Sequence, residues 1–486
     1  YLTPALMKGL NDLDPYVKKT AVIACIKLFH VKKRNIDAMN NYIDILYSLI
    51  RDPDSIVSTN SIMALDEILQ EEGGIAINSK MMIYLLNRIK EFNEYGQSVI
   101  LELVSRYSPR SENELLDIMN VLDERLKHSS SSIVLGCVKI FLNFTKDHPT
   151  IHKQVYERIQ SPLITMMTSG EVTGSYELAY IVLSHIHFIV SRGGNEYFEK
   201  EYKHFYCRTD EPSYIRHLKL EILKWIACEQ TLGDIMNELG EYVTDVDQET
   251  ARKSIQALGG IALRISKVSA GIIKQLCTFL SYTQNHIVNE TMMVFQDILR
   301  KHRDEYKEMM PMLESAMDHI TEADAKVALI WILGEFGAHI DYAPYVLESL
   351  VNSLKQGNET VKVKQILLTS CVRLFMHKAP EMVNCVKTLL SMILEDENED
   401  FDLRDRATFY CKAMQSDMNS LQKTLDGVGL GPETLFVEDE ETRKEGATLE
   451  FNTLSVIFRK PASKFIKSQD AMNEMKSKEQ EEIEEQ

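Results

Sequence analysis

Proline and glycine are scarce in this chain, 12 and 21 of 486 residues, and Leu, Ile, Met, Ala, Glu and Lys fill the stretches between them. Those are helix formers, and few segments alternate with the period of two that a half-buried strand requires, so a β architecture is excluded. No C-x-x-C pair occurs among the eight cysteines, Cys25, Cys137, Cys207, Cys228, Cys277, Cys371, Cys385 and Cys411. Scattered thiols inside apolar patterns, such as Val22-Ile23-Ala24-Cys25-Ile26, read as small hydrophobes of a reducing, cytosolic compartment. No apolar run reaches the roughly 20 residues of a membrane span, and no signal-peptide pattern opens the chain. Positive charge is also in deficit. The net charge of −18 argues against a nucleic-acid binder that works by phosphate neutralisation. Tyr1 stands first in place of Met, which gives the expectation of a fragment.

What is present is a repeat. A polar turn, a helix start and a branched apolar residue recur, as Asp14-Pro15-Tyr16-Val17, Asp54-Ser55-Ile56-Val57, Tyr95-Gly96-Gln97-Ser98 and Ser131-Ser132-Ile133-Val134. Later copies include Pro212-Ser213-Tyr214-Ile215, Asp245-Val246-Asp247, Asn285-His286-Ile287-Val288, Asp324-Ala325-Lys326-Val327, Glu359-Thr360-Val361 and Asp402-Leu403-Arg404. Val17 and Val57 lie 40 residues apart, Val288 and Val327 39. In the first copy Asp14 caps a helix that begins at Pro15, where a missing N–H costs nothing. Val17, Ala21, Ala24 and Leu28 share one face, and Val22, Ile23, Ile26 and Phe29 the next, so the helix is covered on two sides. A second helix follows at Tyr42–Ile50. Paired helices with a ~40-residue period predict an all-α, HEAT/armadillo-type α-solenoid of about eleven pairs over residues 1–415, with an acidic flexible tail. Trp331, among Leu329, Ile330, Ile332 and Leu333, is expected in the core between repeats.

The tail is read as three parts. Residues 416–450, with Gly427-Val428-Gly429-Leu430-Gly431-Pro432 and Glu438-Asp439-Glu440-Glu441, form a mobile acidic linker. Residues 451–466 regain apolar periodicity and dock as a terminal helix. Residues 467–486 are polar and acidic, the disordered start of a hinge.

No catalytic, cofactor or metal constellation emerges. His185 and His187 are two apart on a helix and point away from each other, so they cannot share an ion. His204 and Cys207 are three apart, but no second ligand pair is near. Gly259-Gly260 lies mid-helix with no strand before it, which reads as close helix contact, not a phosphate loop. Gly193-Gly194 reads as a turn. Lys18, Lys19, Lys32, Lys33 and Arg34 make the first 34 residues basic within an acidic whole. That patch is either a solvated face or a contact for an anionic membrane surface. A long solenoid without an active site is a scaffold.

Several segments resemble the beta-adaptins, the beta subunits of heterotetrameric adaptor complexes that sort membrane cargo. They include Asp14-Pro15-Tyr16-Val17-Lys18-Lys19-Thr20-Ala21, Glu211-Pro212-Ser213-Tyr214-Ile215 and Ala328-Leu329-Ile330-Trp331-Ile332-Leu333-Gly334-Glu335. Leu454-Ser455-Val456-Ile457-Phe458-Arg459-Lys460-Pro461 extends the match to the tail. Tyr107-Ser108-Pro109-Arg110-Ser111-Glu112 and Asp341-Tyr342-Ala343-Pro344-Tyr345-Val346-Leu347-Glu348 most resemble the beta subunit of the fourth adaptor complex. The resemblance implies a non-enzymatic scaffold beside medium, small and second large subunits. It also implies recruitment by an Arf-type small GTPase to trans-Golgi or endosomal membranes, a peripheral place on coated vesicles, and a part in vesicle-mediated protein transport. No leucine-rich clathrin box appears in the tail, which fits a coat independent of clathrin. The family's contact with the medium subunit's cargo domain corresponds to Val361 and to Thr408-Phe409, with Thr408 standing where an aromatic is common. The rival class is another HEAT scaffold, a phosphatase regulatory subunit or a nuclear transport receptor.

Overall fold

The computed structural model describes residues 2–460 apart from 33–34, 37–38, 71–73, 266–268, 304–312, 315, 355–358, 397–398, 417 and 426–449. The described residues are helical, with no strand among them. The chain forms two units, residues 1–188 with 444–486, and residues 189–443.

In the first unit, leading helices alternate with trailing ones. α1 (Leu2–Leu10) precedes the pairs α2 (Pro15–Val31) and α3 (Asn40–Leu49), α4 (Ser55–Ile68) and α5 (Ser79–Asn87), and α6 (Glu94–Ser105) and α7 (Glu112–Asp123). α8 (Ser131–Thr145), α9 (Pro149–Val172) and α10 (Tyr176–Ile189) follow. The leading helices α2, α4, α6 and α8 pack side by side, each against the next. The second unit repeats the plan. α11 (Asn195–Phe198) leads to α12 (Ser213–Ile226), α13 (Leu232–Tyr242), α14 (Gln248–Arg264), α15 (Ser269–Leu280) and α16 (Asn285–Lys301). Then come α17 (Ala323–Phe336), α18 (Ala343–Leu354), α19 (Val361–His377), α20 (Ala379–Glu395), α21 (Phe401–Ser416) and α22 (Met418–Leu425). Here α12, α14, α16, α17, α19 and α21 are the leading row. This is the expected HEAT/armadillo-type stacking of helix pairs.

Turn chemistry sets the period. Asp14 caps α2 by accepting the Tyr16 N–H, and Asp54 caps α4 by accepting from Ile56 and Val57. Two residues before each cap a second aspartate folds the turn: Asp12 accepts from the Asp14 N–H at 3.0 Å, Asp52 from Asp54 at 2.9 Å. Asp245 and Asp247 repeat the arrangement before α14 at 2.8 Å. The turn acid has a second partner, a cation at the fourth position of the preceding leading helix. Lys18 of α2 reaches Asp52 at 2.8 Å, and Lys326 of α17 reaches Glu359 at 2.5 Å. Arg216 of α12 pairs with Asp245, and Lys364 of α19 with Glu399. In α14 the cation stands one place later, at Arg252, which pairs with Glu322 and lies 3.6 Å from Glu290. The Arg252 hydrogen bond holds Glu322 below the ordinary carboxylate range, whereas burial raises Glu290 above it.

Cations also close the other end. Arg264 donates to the Trp225 and Ala227 carbonyls, Lys301 to Leu263, and Lys378 to Ile340 at 2.7 Å. Each supplies carbonyls that helix termini leave unpaired with a donor from the following repeat.

Three expectations shift. Val17 and Ile23 are 36% and 44% exposed, and the α2 core face is Ala21, Val22, Cys25 and Phe29. Trp331 is half-buried, although Leu329, Ile330, Ile332 and Leu333 are buried. Four inward neighbours leave the indole the outward arc of the turn, where the Arg300 guanidinium lies 5.2 Å over its ring. Its loss should therefore cost less than the ~3–5 kcal/mol of a fully buried tryptophan. The array also runs past residue 415. Met418, Leu421 and Leu425 form an apolar stripe, and Leu421 is buried in α22, which packs on α19 and α21. Residues 426–449 of the expected linker and 467–486 of the expected hinge lie outside the described residues.

The leading helices approach closely at glycines. A Cβ on Gly334 would lie 2.5 Å from Ser370 Cβ and 2.8 Å from its Cα, and one on Gly259 2.4 Å from Val294 Cγ1. Gly259 is thus a contact between helices, as its mid-helix position implied. Helix propensity favours alanine by up to about 1 kcal/mol, but overpacking against backbone costs about 1–3 kcal/mol, so the clash wins. Gly334→Ala should lower unfolding free energy by about 1–3 kcal/mol in urea titration. Gly271→Ala in α15, with nothing within 4 Å, should be neutral or mildly stabilising. Equal effects at the two positions would remove the close approach as a determinant.

Candidate interaction surface

None of the eight cysteines is in a disulfide, and Cys25, Cys137, Cys277, Cys371 and Cys385 are buried. Burial pushes the Cys25, Cys137 and Cys207 thiols up to about 12, so none of these is a nucleophile at neutral pH. His204 turns to Glu201 at 3.3 Å and the Cys207 thiol to the Arg216 carbonyl at 3.6 Å, so the two do not converge. Among the described residues no group of three or more His, Cys, Asp or Glu side chains could hold a metal ion. No described helix is long and apolar enough to cross a membrane. Gly193 takes φ 101° in the turn after α10.

Three cations of the basic patch, Lys18, Lys19 and Lys32, are among the described residues. Lys18 is the repeat bridge to Asp52, Lys19 lies 4.5 Å over the Tyr16 ring, and Lys32 5.8 Å over Tyr42. Lys33 and Arg34 lie outside the described residues. Beside Lys19 two large apolar side chains are exposed, Leu13 at 96% and Tyr16 at 68%, next to the exposed Asp14 and Thr20.

In the second unit the structure sets the sequence-derived contacts on adjacent leading helices. Val361 opens α19 and is 40% exposed; Phe409, on α21, is 52% exposed. Thr408 is half-buried, its hydroxyl donating to the Arg404 carbonyl at 2.9 Å, so it offers little to a partner. Tyr410 is buried and reaches Thr369 at 3.3 Å, which ties α21 to α19 beneath this surface. Sequence reasoning missed Phe401. It opens α21 as Val361 opens α19, and it is 81% exposed. The signal was its place in the repeat, one residue before Asp402. Phe401 therefore joins Val361 and Phe409 as an exposed apolar side chain of this leading row.

A third feature was half legible. Phe451 is fully buried, packed edge-on to His185 at 4.7 Å and to Phe188 at 5.8 Å on α10. The short helix α23 (Leu454–Phe458) follows, with Val456 and Ser455 buried. Burying Phe451 and Val456 stabilises the docked segment by about 3–6 kcal/mol before the ordering cost. His185 Nδ1 donates to the Ile181 carbonyl at 2.7 Å, and Nε2 has no partner among the described residues. Burial pushes His185 down to about 4.

Residues 1–418 match the family described as the adaptin N terminal region. Beta-adaptin-like protein A of Arabidopsis thaliana is 37% identical over 478 residues, covering 96% of this chain and 56% of its own length. The AP-4 complex subunit beta of Dictyostelium discoideum is 33% identical over 506 residues, covering 96% of this chain and 59% of its own length. The chain thus spans less than two thirds of the curated relatives it matches. A homology model of the full-length AP-3 complex, in an intermediate open conformation, superposes with TM-score 0.60 at 18% identity, over 85% of this chain and 75% of that one.

The depressed His185 has a stability consequence. An unfolded histidine titrates near 6.5, so below that pH the unfolded chain takes up a proton that the docked state refuses. Stability contributed by neutral His185 is complete above pH 6.5 and is lost as pH falls towards 4, by about 3 kcal/mol in all. Between pH 7 and 5 the wild-type chain should lose about 2 kcal/mol more in urea titration than His185→Leu does. Identical pH slopes would mean that the ring is not held neutral. The repeat, its turn chemistry and these matches lead to one assignment: the chain belongs to the adaptin family and carries its N-terminal region.

Proposed function

We propose that this chain is a non-enzymatic scaffold subunit of a heterotetrameric adaptor complex, a beta subunit of the fourth-complex type, acting in vesicle-mediated cargo sorting. One observation carries the reading: the leading helices of a solenoid with no converging catalytic side chains among the described residues present exposed apolar side chains at Val361, Phe401 and Phe409. The relatives at 33–37% identity support it, being a beta-adaptin-like protein and a subunit of an adaptor complex. On this reading those anchors meet the medium subunit, with the small and second large subunits completing the assembly. An Arf-type GTPase would recruit the complex to trans-Golgi or endosomal membranes from the cytoplasm. Leu13, Tyr16 and Lys19 supply the apolar and cationic chemistry of a peripheral membrane contact, and Lys32, Lys33 and Arg34 add charge to it. The solenoid trunk, acidic linker, terminal docking segment and hinge start follow the same plan.

An obligate interface of this type buries well over ~2,000 Å². Expressed alone, the chain should therefore aggregate despite its charge of −18, and co-expression with the matching medium subunit should keep it soluble. Affinity purification from cells should return medium, small and second large adaptor subunits. Phe401→Asp with Phe409→Asp should cut recovery of the medium subunit more than tenfold, the scale of losing ~1.4 kcal/mol or more at a hot spot. Recovery of a phosphatase catalytic subunit or a Ran-type GTPase in their place would overturn the reading.

A further inference from the structure

Cys371 and Cys385 stand seven residues before and seven residues after Lys378, the single residue between α19 and α20. Seven residues are about two helical turns, so a chain that reverses at Lys378 brings both positions to the same level of the hairpin. The two helices pack on each other, and the two sulfur atoms lie 4.0 Å apart. Leu368 and Val372 of α19, and Met382 and Leu389 of α20, are buried around this level. Other thiols of the second unit turn elsewhere, Cys207 to the Arg216 carbonyl at 3.6 Å and Cys228 to the Thr231 hydroxyl at 3.3 Å.

The spacing is within reach of a covalent bond. Packed helices run about 8–10 Å apart with Cα atoms about 2.3 Å from each axis, so facing Cα atoms reach the ~4.4–6.8 Å that a disulfide spans. The sulfurs must close by about 2 Å, a movement on the scale of one side-chain torsion. The two thiols are not equivalent. Cys371 has no exposed surface, and Cys385 keeps 4% of its own. Donation from the Cys371 thiol holds Cys385 below the ordinary thiol range, against its burial and the nearby Glu348 carboxylate. The same bond, with burial, holds Cys371 above that range. Cys385 is therefore the thiol that ionises more readily and that a small oxidant meets first, and Cys371 stands behind it.

We propose that Cys371 and Cys385 are a reversible redox site, a dithiol that a hydroperoxide converts to a disulfide joining α19 to α20. The Cys385 thiolate attacks the terminal oxygen of the hydroperoxide, the O–O bond breaks, and the other oxygen takes up a proton and leaves as water or an alcohol. Cys385 is then a sulfenic acid. The Cys371 sulfur gives up its proton and attacks the Cys385 sulfur; the S–O bond breaks, and the hydroxyl leaves with that proton as water. Two thiols are oxidised by two electrons in all, and one hydroperoxide is reduced. Two equivalents of a small thiol reverse the change and leave as their own disulfide. In a reducing compartment a disulfide of this kind is transient and acts as a sensor. Closed, it ties the leading helix of one repeat to its trailing helix. The inference stands on the second unit alone and does not depend on the adaptor reading.

The test uses the full chain, reduced and then exposed briefly to hydrogen peroxide. After an acid quench, free thiols are alkylated under denaturing conditions and the digest is mapped by mass spectrometry without reduction. Two of the eight cysteines should escape alkylation, both in one linked peptide pair, Cys371 with Cys385. Dithiothreitol should return them. Amide exchange across residues 371–385 should slow on the order of tenfold in the oxidised chain and recover on reduction. Cys371→Ala should leave Cys385 as a sulfenic acid that dimedone captures, and Cys385→Ala should give neither a link nor a dimedone adduct at Cys371. The wild-type map needs no variant, so a variant that misfolds leaves the test intact. A chain that keeps all its thiols would overturn the proposal. So would links from Cys371 or Cys385 to other cysteines in comparable yield, or equal dimedone capture in the two variants.

Discussion

Four leading helices, α2, α12, α17 and α19, are each tied to the next by one cation and one turn acid. Lys18 with Asp52, Arg216 with Asp245, Lys326 with Glu359 and Lys364 with Glu399 are the same contact, repeated along the chain. An exposed ion pair contributes ~1 kcal/mol or less, but these pairs are all less than a third exposed, and Asp52 and Asp245 also fold the turns that start the next helices. Removing one partner would loosen a turn as well as a bridge. The bridge fixes the register of neighbouring leading helices, and that register lets Gly259 and Gly334 be approached so closely. It also determines which residues are left outside. The first position of a leading helix lies beyond the bridge, so Val361 and Phe401 face outward whatever their hydrophobicity.

Much of this was written in the turns. Asp14-Pro15 and Asp54-Ser55 are helix starts on physical grounds, and their spacing gives the repeat without further information. The pairing of Lys18 with Asp52 was not legible, because a lysine in an amphipathic helix carries no mark of a partner 34 residues away. That is why Lys18 reads as part of a free basic patch in sequence and as a bridge in the fold. Trp331 failed for a related reason: a helix whose every neighbour is apolar does not say which residue takes the outward arc. Phe401 was hidden by its position at a boundary, where periodicity has not yet begun. The docking of Phe451 was half visible. Its apolar pattern announced a contact, but a partner on α10, more than 260 residues earlier, leaves no local signal.

The Cys25 and Cys137 thiols are pushed up by burial, the buried His185 is held neutral, and several cations are committed to bridges between repeats. The same commitments make the surface dependable, because the helices that carry Val361, Phe401 and Phe409 are held in register by bonds that partners need not touch. Membership of the adaptin family fits a fold of this type, in which selection acts through what the repeats hold.

The central claim is that the exposed row on α19 and α21 is where the medium subunit binds. Hydrogen–deuterium exchange on the full-length protein, alone and with that subunit, tests it most directly. The account expects new protection concentrated at the starts of α19 and α21, around Val361 and Phe401–Phe409. Protection confined to the trailing helices, or no change in this row on binding, would contradict it.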